Sequence, residues 1–171
     1  MKTGVKNTLV LVCICAVMAL ILALTNYVTA PVIAQNQVKA TEKALQQVMP
    51  KGEGFVAVAL EKSLPDSVTE VSRETGGGYV FKLKTKGYGS DFVIMCGVDI
   101  HGAVTGAVCL SSNETLGKEK DFGNQFVGLD GVGVAAVDTV AGATKTTAAY
   151  RAAVADAVSA AATLRAMAQE G

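Results

Sequence analysis

Hydrophobic positions are distributed unevenly along this chain of 171 residues, and the densest run lies near the N-terminus. The segment from Asn7 to Gln37 carries no charged residue and contains the apolar stretch TLVLVCICAVMALILAL. Because a membrane-spanning helix needs about 20 mostly apolar residues, residues 1–34 are predicted to form a short N-terminus and a retained transmembrane anchor. A cleaved signal peptide is the competing interpretation, but its apolar core is only about 7–15 residues long.

A helical pattern continues after Pro31 and ends at Pro50, which predicts a short helical stalk over residues 35–50. Residues 51–68 place two glycines and a proline around a brief apolar run. They are interpreted as a turn, a short strand and a loop, which open a domain over residues 51–171.

Three later segments predict an antiparallel meander. Residues 79–85 (YVFKLKT) mix apolar side chains with lysines in the alternating pattern of a half-buried strand. Residues 91–100 and 101–111 are nearly continuous apolar strands, with His101 and Gly102 at the turn between them.

The last third of the chain is predicted to contain a loop, a strand and a long helix. Residues 113–128 (NETLGKEKDFGNQFVG) are polar and interrupted by glycines, as in a surface loop with a helical turn. Residues 131–137 (GVGVAAV) are predicted to be a last short strand. Residues 146–169 place apolar side chains at helical spacing, which indicates an amphipathic helix on the sheet. The predicted fold class is α+β: one transmembrane helix, then a small domain with an antiparallel sheet and a C-terminal helix.

Charge is sparse near the N-terminus and balanced afterwards. Lys2 and Lys6 precede the apolar run, so the positive-inside tendency predicts a cytoplasmic N-terminus and an extracytoplasmic domain. Without these two lysines, 13 basic residues remain against 15 acidic ones, a net charge of −2. This balance provides no basic field for nucleic acid, and no nucleic-acid partner is expected.

Cysteine and histidine are also sparse in the predicted extracytoplasmic part. Cys96 and Cys109 lie on neighbouring strands, where they are either two buried thiols or a disulfide across the hairpin. His101 stands alone and there is no CxxC pair, so the sequence offers no ligand set for a protein-bound metal.

The stretch VAGATKTTAAY, before the C-terminal helix, allows three interpretations. Thr146 or Thr147 is a candidate N-cap for the helix. A phosphate-binding loop of nucleotide hydrolases needs G-x-x-x-x-G-K-[ST], and Thr144 stands where its second glycine belongs. The third interpretation is covalent attachment. Gly142 and Ala143 let a bulky partner approach the backbone, and Thr144 offers a hydroxyl beside a helix N-terminus that suits an anion.

Seven residues of this region resemble a known attachment signature. DTVAGAT, from Asp138 to Thr144, matches D-x-x-[ST]-G-A-T with Ala141 in the Ser/Thr position. That pattern is the FMN acceptor signature of the G subunit of Rnf-type complexes and of the C subunit of sodium-pumping NADH:quinone oxidoreductases. The resemblance implies that Thr144 carries FMN through a phosphoester bond, and that Asp138 belongs to the signature read by a flavin transferase.

A second segment is similar to the same family. NETLG resembles the E-T-P-G-L-G segment that lies against the flavin, although the central Pro-Gly is absent here. The single N-terminal span and the short length fit the G subunit. The cofactor-binding residues expected from both segments are Glu114, Thr115, Leu116, Gly117, Asp138, Gly142, Ala143, Thr144, Lys145, Thr146 and Thr147.

The resemblance implies an electron-transfer subunit of a membrane-bound, ion-translocating ferredoxin:NAD⁺ oxidoreductase, with covalent FMN and no independent catalytic site. Its expected partners are the other membrane subunits, a flavin transferase and the lipid bilayer of a bacterial or archaeal cell. The ion path is expected in other subunits, because this span carries no charge. A stand-alone flavinylated carrier would share the motifs, whereas a non-redox membrane-anchored or pilin-like module would leave DTVAGAT and NETLG unexplained.

Overall fold

The computed structural model describes residues 2–60, 63–112, 114 and 117–170 of the chain. Within these residues a long helix is followed by five strands and then by three more helices. The helices are α1 (Lys2–Val48), α2 (Glu119–Phe122), α3 (Gly131–Ala136) and α4 (Thr144–Glu170), with a 3₁₀ turn at Gly123–Phe126. The strands are β1 (Val56–Val58), β2 (Val68–Arg73), β3 (Tyr79–Lys86), β4 (Asp91–Val98) and β5 (Val104–Ser111).

The predicted N-terminal membrane segment is helical. Among the described residues, Lys6–Val48 is the helix that is long and apolar enough to cross a membrane, judged by length and composition. The chain divides between Ala40 and Thr41 into two compact units. The last two turns of α1 therefore belong to the second unit, which also contains the sheet. The predicted boundaries at residues 34 and 50 stay predictions.

The five strands form one antiparallel sheet in the order β1-β2-β3-β4-β5. This order confirms the predicted meander and, together with the helices, the α+β class. The predicted hairpin turn is also present: the Asp99 N–H donates to the Ala103 carbonyl at 2.9 Å, and Gly102 has a φ of +92°. Strand β2 was not predicted: its pairing with β3 shifts register between Val68 and Glu70, which interrupts the alternating pattern.

The two cysteines of the sheet are free thiols. Cys96 lies opposite Ala107 and Cys109 lies opposite Ile94, so the two cysteines are offset along the ladder. Burial raises the pKa of Cys96 to about 12 and, with less complete burial, the pKa of Cys109 to about 11.

One face of the sheet is covered by α4. Alanines along that face of α4 are buried, which lets the helix backbone approach the strands closely. The side chains from the helix and the sheet form the larger core, and its fully buried members include Phe81, Leu83, Ile94, Val98, Tyr150, Val154 and Ala157.

The opposite face of the sheet receives the end of α1. Ala44, Val48 and Met49 form a second, smaller core with Val80 and Met95. The sheet contacts the backbone of Val48 as well as its side chain. The residues at that backbone are Gly97, Thr105 and Gly106. Gly97 and Gly106 pair across β4 and β5, and a Cβ on either would lie 2.7 Å from backbone atoms of Val48, while Thr105 donates its hydroxyl hydrogen to the Val48 carbonyl.

Two predictions for the last third of the chain were wrong. The segment GVGVAA is α3 rather than a strand, because Asp130 caps it by accepting a hydrogen bond from the Gly133 N–H at 2.8 Å. The segment predicted as a surface loop with a helical turn does contain helical turns, α2 and the 3₁₀ turn, but it contributes to the core instead of lying at the surface. Phe122 and Phe126 are buried there and pack around the ring of Tyr150.

Candidate functional site

The connector before α4 turns sharply at Gly142. The Ala143 N–H donates to the Val140 carbonyl at 3.0 Å, and Gly142 has a φ of +82°. A residue with a side chain is strained at this φ, although, apart from the two chain neighbours, no atom of the described residues lies within 4 Å of the place where a Cβ would be. The backbone conformation therefore requires glycine, and the turn leaves its main chain uncovered.

The first turn of α4 keeps backbone N–H groups available. The helix begins at Thr144, earlier than predicted, so neither Thr146 nor Thr147 is its N-cap. The residue before it is Ala143, whose methyl group cannot accept a hydrogen bond. The first N–H groups of a helix have no acceptor within the helix, and Ala143 supplies no capping side chain to replace one.

The three threonines of this turn have different roles. Thr147 is buried, accepts a hydrogen bond from the Val140 N–H at 3.1 Å and donates to the Ala143 carbonyl at 3.0 Å. It therefore closes the connector onto the helix. Thr144 is exposed, and its hydroxyl makes a 3.5 Å contact with the Val140 carbonyl, at the outer limit of a hydrogen bond. Thr144 is thus the accessible hydroxyl.

Thr146 belongs to a network centred on Glu114. Glu114 Oε1 accepts hydrogen bonds from the N–H groups of Gly89 (3.0 Å) and Ser90 (3.4 Å), and Oε2 accepts one from the Thr146 hydroxyl (2.9 Å). The Thr146 oxygen accepts in turn from the Tyr88 N–H at 3.3 Å. Partial desolvation acts to raise the pKa of Glu114, but these donors outweigh it, so the pKa lies below its usual value. The network fixes the turn after β3 against the first turn of α4.

A cavity of about 320 Å³ opens between these segments. Its rim includes Tyr88, which is 77% exposed, and the Lys145 ammonium lies 5.8 Å from the centre of the Tyr88 ring. Its wall includes a second carboxylate, Glu119, of which only 2% is exposed. The described residues lining the cavity are Tyr88, Glu114, Glu119, Gly142, Ala143, Thr144, Lys145 and Thr146.

Six of the eleven predicted site residues lie together in this lining: Glu114, Gly142, Ala143, Thr144, Lys145 and Thr146. Thr147 lies behind them, in the core. Gly117 and Asp138 are outside the lining as described; Gly117 has a φ of +62° and Asp138 is exposed. Thr115 and Leu116 lie outside the described residues.

Two residues of the lining, Tyr88 and Glu119, were not among the predicted site residues. Tyr88 is an aromatic residue between the glycines of a turn, GYGS, and that placement was a usable signal for an exposed contact residue. Glu119 stands in the charged run KEKD, and nothing in that run distinguishes a buried acid from its exposed neighbours.

The site is suited to an organic phosphate. Uncapped N–H groups and the dipole of α4 attract an anion, the Lys145 side chain adds positive charge, and the adjacent cavity has the size of a small-molecule pocket. The residues that the structure describes include no group of three or more His, Cys, Asp or Glu side chains that could hold a metal ion.

Comparisons with known proteins agree with this geometry. Residues 1–48 match the RnfG N-terminal region, and residues 87–159 match the FMN-binding domain, which includes every described residue of the cavity. A relative from Acetobacterium woodii, the G subunit of its Na(+)-translocating ferredoxin:NAD(+) oxidoreductase complex, is 36% identical over 133 residues. That alignment covers 68% of this chain and 63% of the relative, so it spans less than two thirds of the relative's length.

These matches confirm the resemblance inferred from DTVAGAT and NETLG, and they support FMN as the ligand class of the cavity. They place the two matched regions in the order that sequence analysis predicted, an apolar N-terminal segment before a flavin domain. The chain thus combines a segment that matches the RnfG N-terminal region with a later segment that matches the FMN-binding domain.

Proposed function

We propose that this protein is an electron-transfer subunit of an Rnf-type, ion-translocating ferredoxin:NAD⁺ oxidoreductase, and that it carries FMN on Thr144 through a phosphoester bond. The observation that carries the proposal is the exposed hydroxyl of Thr144, which lines the cavity of the FMN-binding domain at the start of α4.

The chain's own residues suit this attachment. The Thr144 oxygen bonds to the flavin-side phosphorus of a flavin dinucleotide, the pyrophosphate bond of that donor breaks, and the nucleoside monophosphate leaves as the threonine hydroxyl loses its proton to a base of the transferase. The chain needs no general base for this step, because a separate flavin transferase would supply one. Thr144 has to be accessible to that enzyme, and its exposure meets this requirement.

The phosphate oxygens would then lie at the N-terminal end of α4. The N–H groups of the first turn donate to them, and Ala143 offers no competing acceptor. Gly142 leaves the backbone uncovered beside the phosphate, and the exposed ammonium of Lys145 balances part of its charge. These contacts hold the phosphate and leave the rest of the cavity to the flavin ring.

A bound flavin supplies the redox chemistry, because its ring accepts and releases one or two electrons. The protein contributes position and environment. Tyr88 at the rim keeps one side of the cavity aromatic and open to partners. In the proposed arrangement, α1 anchors the domain in a cell membrane with its N-terminus in the cytoplasm, and other membrane subunits provide the electron donor, the electron acceptor and the ion path.

The attachment is tested by producing the full chain together with a flavin transferase and viewing a denaturing gel under ultraviolet light. We expect a fluorescent band whose mass exceeds the polypeptide by one FMN less one water. Thr144→Ala should abolish the band, whereas Thr144→Ser should keep it, because serine retains the hydroxyl.

Thr163→Ala is the matched control, because it removes a threonine hydroxyl from the same helix at a distance from the cavity. Fluorescence that survives in Thr144→Ala would exclude Thr144 as the acceptor. Membership of a complex is tested separately by co-purification from the native membrane. A flavinylated protein that purifies without other membrane subunits would instead be a stand-alone carrier.

A further inference from the structure

Two carboxylates line the cavity, and they differ in what surrounds them. Glu114 accepts hydrogen bonds from Gly89, Ser90 and Thr146, so its oxygens already have donors. Glu119 is 98% buried by contrast, and the part of the chain described here places no hydrogen-bond donor or ion-pair partner on its side chain. The structural role of Glu114 is therefore evident, and that of Glu119 is not.

A buried carboxylate without a donor is costly to stability, and native proteins rarely keep one without a compensating contact. The packing of Glu119 places it in the wall of the cavity, so its remaining accessible surface opens there. A carboxylate has acceptor atoms and no donor. The carboxylate oxygens are not among the fully buried unpaired atoms, so they are open to the cavity, and a hydrogen-bond donor on whatever occupies the cavity would be their partner.

Four neighbouring side chains of the lining do not offer a free acceptor to the same donor. Ala143 has no polar atom, and the Thr146 hydroxyl hydrogen is directed at Glu114. Thr144 is consumed by the proposed phosphoester, and Lys145 is itself a donor. Glu119 is thus the free buried acceptor among the described side chains of the cavity.

The flavin ring carries one matching group. In the oxidised isoalloxazine the imide N3–H is the ring's hydrogen-bond donor, and a donor that enters a buried cavity needs an acceptor. We propose that the Glu119 carboxylate accepts a hydrogen bond from the N3–H of the FMN, positions the ring and lowers its reduction potential. This inference rests on the proposed function, because it assigns a partner to the flavin of that site.

The effect on potential follows from charge. Reduction adds electron density to the ring, and a carboxylate in a poorly solvated wall opposes added negative charge more strongly than an exposed one does. Glu119→Gln keeps the size and an acceptor oxygen but removes the charge. We therefore expect the flavin midpoint potential of this variant to shift upward.

The matched control is Asp121→Asn, which removes one negative charge from the same short helix at an exposed position. Both variants and the wild type are produced as full chains with a flavin transferase, and their midpoint potentials are measured by spectroelectrochemical titration. Nitrogen-15 labelled flavin allows the N3–H resonance to be followed by NMR. The expected result is a larger upward shift of potential in Glu119→Gln than in Asp121→Asn, and a displaced N3–H resonance in Glu119→Gln alone.

Three outcomes would overturn the inference. Equal shifts of midpoint potential in the two variants would mean that Glu119 acts on the flavin only as a charge at a distance, without a hydrogen bond to the ring. An N3–H resonance that is unchanged in Glu119→Gln would show that Glu119 does not contact the N3–H group. If Glu119→Gln fails to fold, the wild type decides, because an N3–H that exchanges with solvent as fast as in free FMN is not bonded to Glu119. None of these three outcomes contradicts the attachment of FMN to Thr144. A wild-type chain that takes up no flavin, by contrast, would contradict both the proposed function and this inference.

Discussion

Replacing Tyr150 with phenylalanine is expected to stabilise the protein. The Tyr150 side chain has no exposed surface, and its hydroxyl is buried without a hydrogen-bond partner among the described residues. Burial raises the pKa of this hydroxyl above its ordinary value, as expected for a group cut off from water. A Cβ on Gly123 would lie 2.6 Å from the hydroxyl oxygen, so the wall beside it is the backbone of the 3₁₀ turn.

The stabilisation expected from Tyr150→Phe is the difference between two opposing free-energy terms. An unsatisfied buried hydroxyl costs about 1–3 kcal/mol. Its removal leaves a void of about 12 Å³, which costs about 0.3 kcal/mol at about 24 cal/mol per Å³. The ring itself stays, with its contacts to Phe92, Phe122 and Phe126 at centre distances of 6.1, 5.5 and 5.8 Å. The net gain is about 0.7–2.7 kcal/mol, or a rise in melting temperature of about 3–10 °C for a unit of this size.

The assay is thermal unfolding of the full chain in detergent, followed by near-ultraviolet circular dichroism. Tyr88→Phe is the control, because that side chain is 77% exposed and the loss of its hydroxyl should leave the melting temperature unchanged. A lower melting temperature for Tyr150→Phe would refute the reasoning, since it would mean that the hydroxyl makes a stabilising hydrogen bond in solution.

Three further predictions concern the glycine contact, the acid range and the alkaline range. Gly106→Ala should lower the free energy of unfolding, measured by urea titration, by about 1–3 kcal/mol, because its Cβ would lie 2.7 Å from the Val48 backbone. Gly131→Ala is the control: its Cβ would make an ordinary 3.6 Å contact, so the free energy of unfolding should stay unchanged. Glu114 has a lowered pKa in the folded protein, so its stabilising effect is present above about pH 4.5 and is lost as the pH falls. Urea titrations from pH 6 to 3 should therefore show a smaller loss of unfolding free energy for Glu114→Gln than for the wild type. Cys96 has a raised pKa, so its contribution is present below about pH 9 and is lost toward about pH 12, and Cys96→Ala should flatten the stability curve over that alkaline range.

The sequence predicted those elements whose pattern is carried by several residues in succession. Strand β3 was expected over residues 79–85 and is observed at Tyr79–Lys86, because its apolar positions repeat without interruption. The C-terminal helix was also recovered, with its start displaced to Thr144. That displacement has a physical cause: an alanine occupies the cap position, so the usual side-chain signal for a helix start is missing.

The sequence failed where tertiary contacts outweigh local pattern. GVGVAA is short and apolar enough for either a strand or a helix, and one capping contact from Asp130 selects the helix. Phe122 and Phe126 stand in a polar, glycine-rich segment, and only the position of Tyr150 on α4 explains why they are buried. Glu119 is likewise buried by this folded segment, so the sequence alone could not have placed it in the cavity wall.

The contact of Val48 with Gly97 and Gly106 affects how a soluble fragment should be chosen. A fragment that begins after Pro50 would lose Ala44, Val48 and Met49, and would leave Val80 and Met95 open to water beside the two bare glycines. An uncovered apolar sheet face of this kind favours self-association. A fragment that begins at Thr41 keeps this cover and omits the apolar segment predicted to cross the membrane, so it is the better starting point for solution spectroscopy of the flavin site.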